Sequence, residues 1–162
     1  LSASSIRRAE ATDVGAIWQL IHDLAEYERS RHEVEATPEQ LHDALFGPSP
    51  AVFAHVAEHE GEVVGFAMWF LNFSTWRGRH GIYLEDLYVR PEMRGKGYGA
   101  ALLRELARTC VERGYGRLEW WVLDWNVDAH EFYRRAGAEP MDEWTVWRLT
   151  GDALERFAEP AP

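Results

Sequence analysis

Residues 82–100, Ile-Tyr-Leu-Glu-Asp-Leu-Tyr-Val-Arg-Pro-Glu-Met-Arg-Gly-Lys-Gly-Tyr-Gly-Ala, constrain this chain more than any other stretch. They read as a strand over residues 82–89, a turn fixed by Pro91, a glycine-spaced loop over residues 94–99, and a helix opening at the last glycines. Glycine at three alternate positions, Gly95, Gly97 and Gly99, leaves no Cβ in the way. Successive backbone N–H groups can then converge on one anion at a helix N-terminus, where the macrodipole adds attraction. The pattern predicts a phosphate cradle.

Three kinds of phosphate loop compete for this pattern. Gly95 to Ala100 satisfies the loose G-x-G-x-x-A form of a dinucleotide fingerprint, and Glu119 lies about the right distance downstream to meet a ribose. The placement argues against that reading, because such a loop follows its strand directly in an early βα unit. Here residues 90–94 intervene and half the chain comes first. The G-x-x-x-x-G-K-[ST] string of a nucleotide P-loop is absent. What remains, Arg94-x-x-Gly97-x-Gly99, resembles the acyl-CoA pyrophosphate loop of the GNAT superfamily of N-acetyltransferases.

The 162 residues suit a single domain spanning 1–162, long enough to bury a sizeable core. Hydrophobic content of 46 %, with eight Trp and seven Phe, points to a packed globule rather than a disordered chain. A net charge of −10 argues against nucleic acid as partner, since neutralising phosphates needs a basic face. The charge is unevenly divided: residues 1–93 carry 7 basic and 15 acidic side chains, residues 94–162 carry 10 and 12. A chain that holds a phosphorylated cofactor with one half and a cationic amine with the other divides its charge this way, although an acidic surface kept for solubility does so too. The one cysteine, Cys110, excludes an internal disulfide and suggests a reducing, cytoplasmic setting. The longest apolar run, residues 63–71, is too short to span a bilayer. No signal-peptide pattern is visible, and a start at Leu1 rather than Met leaves room for a trimmed N-terminus.

Along the chain, residues 6–9 read as a short strand, and Thr12 or Asp13 offers an N-cap for a helix carrying Val14, Ile17, Trp18, Ile21, Leu24 and Ala25 at helical spacing. Thr37-Pro38-Glu39-Gln40 combines a capping box with Pro at the first helical position. Residues 51–58 and 63–73, separated by His59-Glu60-Gly61-Glu62, signal a hairpin. A helix over residues 97–113 buries Leu102, Leu103, Leu106, Ala107, Cys110 and Val111, and stops at Gly114 and Gly116. A strand over residues 117–123 follows, then a helix through residues 130–136 capped by Asn126 or Asp128, a strand over residues 144–149 and a terminal helix over residues 151–158. The order predicts an α/β fold with one mixed, mostly antiparallel sheet and helices on both faces.

Acetyl transfer from a thioester to an amine requires that the amine lose a proton, that the carbonyl oxygen be stabilised, and that the thiolate be protonated on leaving. Glu85 and Asp86 sit in the strand feeding the cradle. Adjacent strand residues face opposite sides, so one of the two faces a given cleft; Glu85, acting through a water, is the chosen base. A phenol remains protonated at neutral pH and can give its proton to a thiolate, which suits Tyr133 as the acid. His55 and His59 span a strand end and turn rather than a helix, so no metal is expected.

The run Leu-Glu-Asp-Leu-Tyr-Val-x-Pro-x-x-Arg-Gly-x-Gly-x-Gly, then Trp125-Asn126 and Phe132-Tyr133-Arg134-Arg135-Ala136-Gly137-Ala138, resembles the diamine (spermidine/spermine) acetyltransferase branch of GNAT enzymes. Residues 24–28 and Trp147 extend the likeness over the whole chain. Residues 74–79 and 122–126 are most similar to the thialysine N-ε-acetyltransferase subgroup. The resemblance implies splayed central strands and a homodimer, with acetyl-CoA as co-substrate. Leu87, Tyr88 and Val89 would meet the pantetheine arm, with a backbone N–H near Val89 as oxyanion donor. The backbone of Arg94, Gly95, Lys96, Gly97, Tyr98, Gly99 and Ala100 would hold the pyrophosphate, and Asn126 and Tyr133 would lie at the thioester. Tyr27, Glu28 and Glu85 would line the amine site, with Trp76, Trp120 and Trp121 as walls. Ser74 and Thr145 stand where polyamine-specific members carry acidic groups, so a small substrate such as thialysine, lysine or a short diamine fits better than spermine. The alternatives are an acetyltransferase acting on proteins or peptides, a non-catalytic acyl-CoA sensor and, more distantly, a dinucleotide-binding oxidoreductase.

Overall fold

A computed structural model describes residues 6–160. The chain divides into two compact units, Leu1–Trp121 and Val122–Pro162. The first contains β1 (Ile6–Arg8), α1 (Val14–Tyr27), α2 (Pro38–Phe46), β2 (Phe53–His59), β3 (Glu62–Ser74), β4 (Arg79–Val89), α3 (Tyr98–Arg113) and β5 (Leu118–Glu119). The second contains α4 (Val127–Arg135) and α5 (Gly151–Ala158).

Local chemistry starts and stops these elements. The Thr37 hydroxyl accepts from the Gln40 amide at 3.2 Å while the Gln40 side chain accepts from the Thr37 amide at 3.0 Å, so the capping box predicted for α2 is formed on both sides. Glu60 (φ 51°) and Gly61 (φ 85°) make the two-residue turn between β2 and β3, a pair of left-handed residues whose twist matches that of the strands. Arg7 holds Asp13 through two guanidinium N–H groups at 2.7 and 2.9 Å and Glu58 through Nε at 3.0 Å, tying β1 to the start of α1 and to β2.

The strands form one open sheet in the order β1-β2-β3-β4-β5; the first four are antiparallel and β5 runs parallel to β4. Ile17, Leu20 and Leu24 of α1, with Leu41 and Leu45 of α2, pack on Val56, Phe66, Met68 and Tyr88 of the sheet. Each such side chain, fully buried, contributes about 1.5–3 kcal/mol relative to exposure. From α3, Leu102, Leu103, Leu106 and Cys110 are buried, as are Ile82 and Leu84 of β4. The predicted α/β class, with a mostly antiparallel sheet and helices on its faces, is the observed one.

Several details differ from expectation. β5 spans two residues rather than 117–123, and pairs only through Ile82↔Leu118 and Tyr83↔Glu119. Ala107 and Val111 are exposed rather than buried, because the stripe of α3 that meets the sheet runs through Tyr98, Leu102, Leu106 and Cys110 and leaves these two beyond its edge. Residues 144–149 form no strand: aromatic and β-branched composition makes a strand only where a second strand accepts its hydrogen bonds, and the described residues of Val122–Pro162 include none.

Candidate active site

β4 carries a bulge. Met68 of β3 pairs with Asp86 while the next residue, Trp69, pairs with Leu84, which leaves Glu85 as an extra residue opposite neither. Directly opposed residues share a sheet face. Asp86 therefore lies with Met68 on the face covered by α1, whereas Leu84 lies with Trp69 on the other. Strict alternation of Glu85 and Asp86, the premise for choosing between them, is suspended here. Glu85 is exposed and Asp86 half-buried.

The electrostatics around Asp86 follow from that placement. Although part of the residue reaches solvent, its carboxyl is packed about by protein. That burial, reinforced by the charges of Glu85 and of Glu28 at the end of α1, pushes it up to about 7. Burial also raises Glu28 above the usual carboxylate range. Two further carboxylates, Glu85 from the same strand and Glu28 from the end of α1, thus make ionisation of Asp86 harder.

Beside them, the guanidinium of Arg94 stands over the rings of Tyr27 and Tyr88, 4.9 and 5.3 Å from their centroids. Its Nε donates to the Val89 carbonyl at 3.0 Å. Arg94 opens the glycine loop in sequence, yet its side chain packs against the end of α1.

The loop itself has the geometry of an anion cradle. Gly95 (φ 73°) and Gly97 (φ 88°) are left-handed, and Gly97 is the N-cap of the 16-residue α3, whose first N–H groups have no partner within the helix. A Cβ on Gly95 would meet nothing within 4 Å, so that side of the loop is open. A diphosphate matches such a set of convergent amides. The Tyr98 side chain turns inward, its hydroxyl 2.7 Å from Nδ1 of His59, so only its backbone serves the cradle. Among the described residues β5 accompanies β4 only as far as Tyr83, so Leu87 and Val89 have no strand on that side and can bond an extended ligand arm.

On the same face as Asp86, Phe70, Tyr83 and Trp121 form an aromatic row, with centroid separations of 4.9 Å for Phe70–Tyr83 and 5.6 Å for Tyr83–Trp121. Trp120, beside it in sequence, is half-buried. Trp76, expected as a wall, is 93 % exposed in the β3–β4 turn. Glu119, whose spacing suited a ribose, instead accepts from the Asn72 amide at 2.6 Å and pairs with Arg117 at 3.3 Å.

Residues 16–138 match the Acetyltransferase (GNAT) family model. The chain belongs to the GNAT family. It is an acetyl-CoA-dependent acyltransferase. This acetyltransferase is 38 % identical to the thialysine N-ε-acetyltransferase of Bos taurus, an alignment covering 94 % of the chain and 96 % of the relative. It is 34 % identical to an L-ornithine N5-acetyltransferase of Arabidopsis thaliana, over 94 % and 86 % of the two chains. Among solved structures, an integron cassette protein from the mobile metagenome of V. cholerae superposes with a TM-score of 0.79 at 26 % identity, covering 96 % and 97 % of the two chains.

The remaining expected site residues of the acetyltransferase belong to its second unit. Asn126 caps α4, its side-chain oxygen accepting from the Ala129 amide at 3.3 Å. Tyr133 is half-buried on α4, its ring centroid 5.0 Å from that of Phe132. In the first unit the structure brings Glu28, Glu85 and Asp86 together and sets Arg94 against Tyr27. Sequence reasoning missed the weight of Asp86 and the aromatic partners Phe70 and Tyr83. Phe70 and Tyr83 lie within segments legible as strands, so their aromatic character was open to reading; the bulge had no such signal.

Proposed function

We propose that this acetyltransferase moves the acetyl group of acetyl-CoA directly to the primary amine of a small cationic substrate of the thialysine, lysine or ornithine kind. The observation that carries this reading is the convergence of Glu28, Glu85 and Asp86 beside an aromatic row. Carboxylates recognise an ammonium group, and the rings offer faces to its alkyl stem and charge. The names of the relatives support the same class of acceptor.

In this reading residues 1–162 act as one catalytic domain. The amides of residues 94–100 hold the pyrophosphate, and Leu87, Tyr88 and Val89 meet the pantetheine arm. A carboxylate of the acidic group takes the ammonium proton. Asn126 lies beside the thioester, and Tyr133 returns a proton to the departing thiolate. Tyr27, Glu28, Trp76, Trp120 and Trp121 surround the amine. The enzyme works in the cytoplasm as a homodimer. Trp147 (91 %) and Phe157 (81 %) are exposed apolar side chains that a second copy could cover.

The test is thiol release from acetyl-CoA with a panel of thialysine, lysine, ornithine, putrescine, spermine and lysine-containing peptides. The reading expects the small diamino acids and short diamines to give the highest kcat/KM. Turnover confined to peptides would overturn the choice of substrate, and cofactor binding without thiol release would overturn the enzyme.

A further inference from the structure

We propose that His59, at the tip of the β2–β3 hairpin, is a positioning residue for the acyl donor, which it serves by holding the Tyr98 hydroxyl and so fixing the shape of the glycine loop. The proposal rests on the reading above, in which the amides of residues 94–100 hold the diphosphate of acetyl-CoA.

A loop of this composition does not set its own shape. Residues 94–97 are exposed, and glycine, at positions 95 and 97, has more backbone freedom to lose on ordering than any other residue. The geometry is therefore decided at the two ends, where Met93 and Tyr98 are buried. Tyr98 is the first residue of α3 and follows directly on the left-handed Gly97, so the orientation of its side chain and that of the first free amides of the helix are set together. Apolar burial is non-directional and leaves the ring a range of angles. The hydroxyl removes that freedom: it lies 2.7 Å from Nδ1 of His59, with the two rings edge to face at a centroid separation of 6.0 Å. Either tautomer of the imidazole serves, because a phenol hydroxyl both donates and accepts.

The same hairpin tip holds the other end of the loop. His59 stands opposite Glu62 across the turn, and a Glu62 carboxylate oxygen lies 3.9 Å from the Arg90 guanidinium. The Arg90 amide donates to the Val64 carbonyl at 2.9 Å. Arg90 precedes the loop and Tyr98 closes it, so one hairpin braces both. An exposed ion pair such as Glu62–Arg90 contributes little. A hydroxyl on a residue only 4 % exposed is costly to leave without a partner, which makes His59 the stronger of the two ties. A loop already held in its binding shape loses less freedom when the diphosphate arrives. His59 acts through Tyr98, so its effect should appear in donor affinity, and only for a donor that carries the diphosphate.

The experiment compares wild type, His59→Ala, His59→Asn, Tyr98→Phe and the combination of His59→Ala with Tyr98→Phe. Calorimetry measures the affinity of each for acetyl-CoA and for S-acetylpantetheine, which has the thioester and the arm but no diphosphate; steady-state kinetics with thialysine follow. His59→Ala and Tyr98→Phe should each weaken acetyl-CoA binding about three- to tenfold, the worth of one hydrogen bond. The combination should be no weaker than the worse single variant, because both changes remove the same bond. His59→Asn, whose amide can meet the hydroxyl from nearly the position of Nδ1, should restore most of the affinity. His59→Ala should keep wild-type affinity for S-acetylpantetheine, and its KM for acetyl-CoA should rise with kcat within about twofold of wild type. Tyr98→Phe keeps the buried ring and answers the question even if His59→Ala folds poorly. Wild-type affinity for acetyl-CoA in Tyr98→Phe would overturn the proposal, as would an equal loss for both donors in His59→Ala, the mark of a general loosening of the fold. A wild type that binds acetyl-CoA no more tightly than S-acetylpantetheine would overturn the diphosphate reading itself, a result distinct from either.

Discussion

Asp86 stands across the β3–β4 ladder from Met68, one residue out of step with the Leu84–Trp69 pair that precedes it. That single slip decides which carboxylate looks toward the end of α1. It also places an acid whose proton is held up to about 7 inside the sheet face that α1 covers.

Such a group weakens the fold that holds it. Its folded value of about 7 lies above the ordinary 3.8, so between those pH values the folded chain keeps a proton that the unfolded chain has lost. Stability from this residue therefore falls as pH rises from about 4 to about 7 and is level above. Asp86→Asn should be more stable than wild type at pH 8 by on the order of 3 kcal/mol, read as a higher urea midpoint. The difference should vanish near pH 4. Equilibrium denaturation at the two pH values measures it.

Asp13 works in the opposite direction. The Arg7 guanidinium, bonded to both of its oxygens, holds its carboxyl below the usual range, so its contribution is present above about pH 4 and is lost as pH falls further. Asp13→Asn leaves Arg7 short of a partner in a part-buried site and should cost about 2–3 kcal/mol at pH 7. The loss should shrink below pH 3, which thermal unfolding at pH 7 and pH 3 would register.

Gly97 adopts φ 88° as the N-cap of α3. Gly97→Ala forces a left-handed alanine there, at about 1–2 kcal/mol, and adds a methyl group to the cradle. A rise of tenfold or more in the KM for acetyl-CoA is expected, with little change in the KM for the amine. Steady-state kinetics with each substrate varied in turn separates the two.

Tyr133→Phe removes the proposed proton donor to the thiolate and keeps the ring. It should lower kcat by about 10²-fold while acetyl-CoA affinity stays near wild type. Pre-steady-state thiol release together with calorimetry distinguishes lost chemistry from lost binding.

What the sequence disclosed and what it withheld follow from the range of the interactions involved. The Thr37–Gln40 capping box, the Glu60–Gly61 turn and the Gly114 terminator of α3 depend on residues within a few positions of one another, and each was legible. So was the glycine loop, because a cradle is written in consecutive backbone groups. The bulge at Glu85 depends on the register of β4 against a strand some fifteen residues away, and nothing in Leu-Glu-Asp-Leu encodes it locally. The Arg94 side chain stacks on Tyr27 from another element, so spacing alone marked it only as part of a phosphate loop. Residues 144–149 are rich in strand-forming aromatic and β-branched side chains, but such composition supplies no pairing partner.

The most direct test of the account is a crystal structure with a non-hydrolysable acetyl-CoA analogue and thialysine bound together. The account predicts pyrophosphate oxygens on the amides of residues 94–100 and the substrate nitrogen within about 3.2 Å of a carboxylate of the Glu28, Glu85 and Asp86 group, directly or through one water. An amine bound away from these three carboxylates, or a pyrophosphate held elsewhere than the glycine loop, would contradict it.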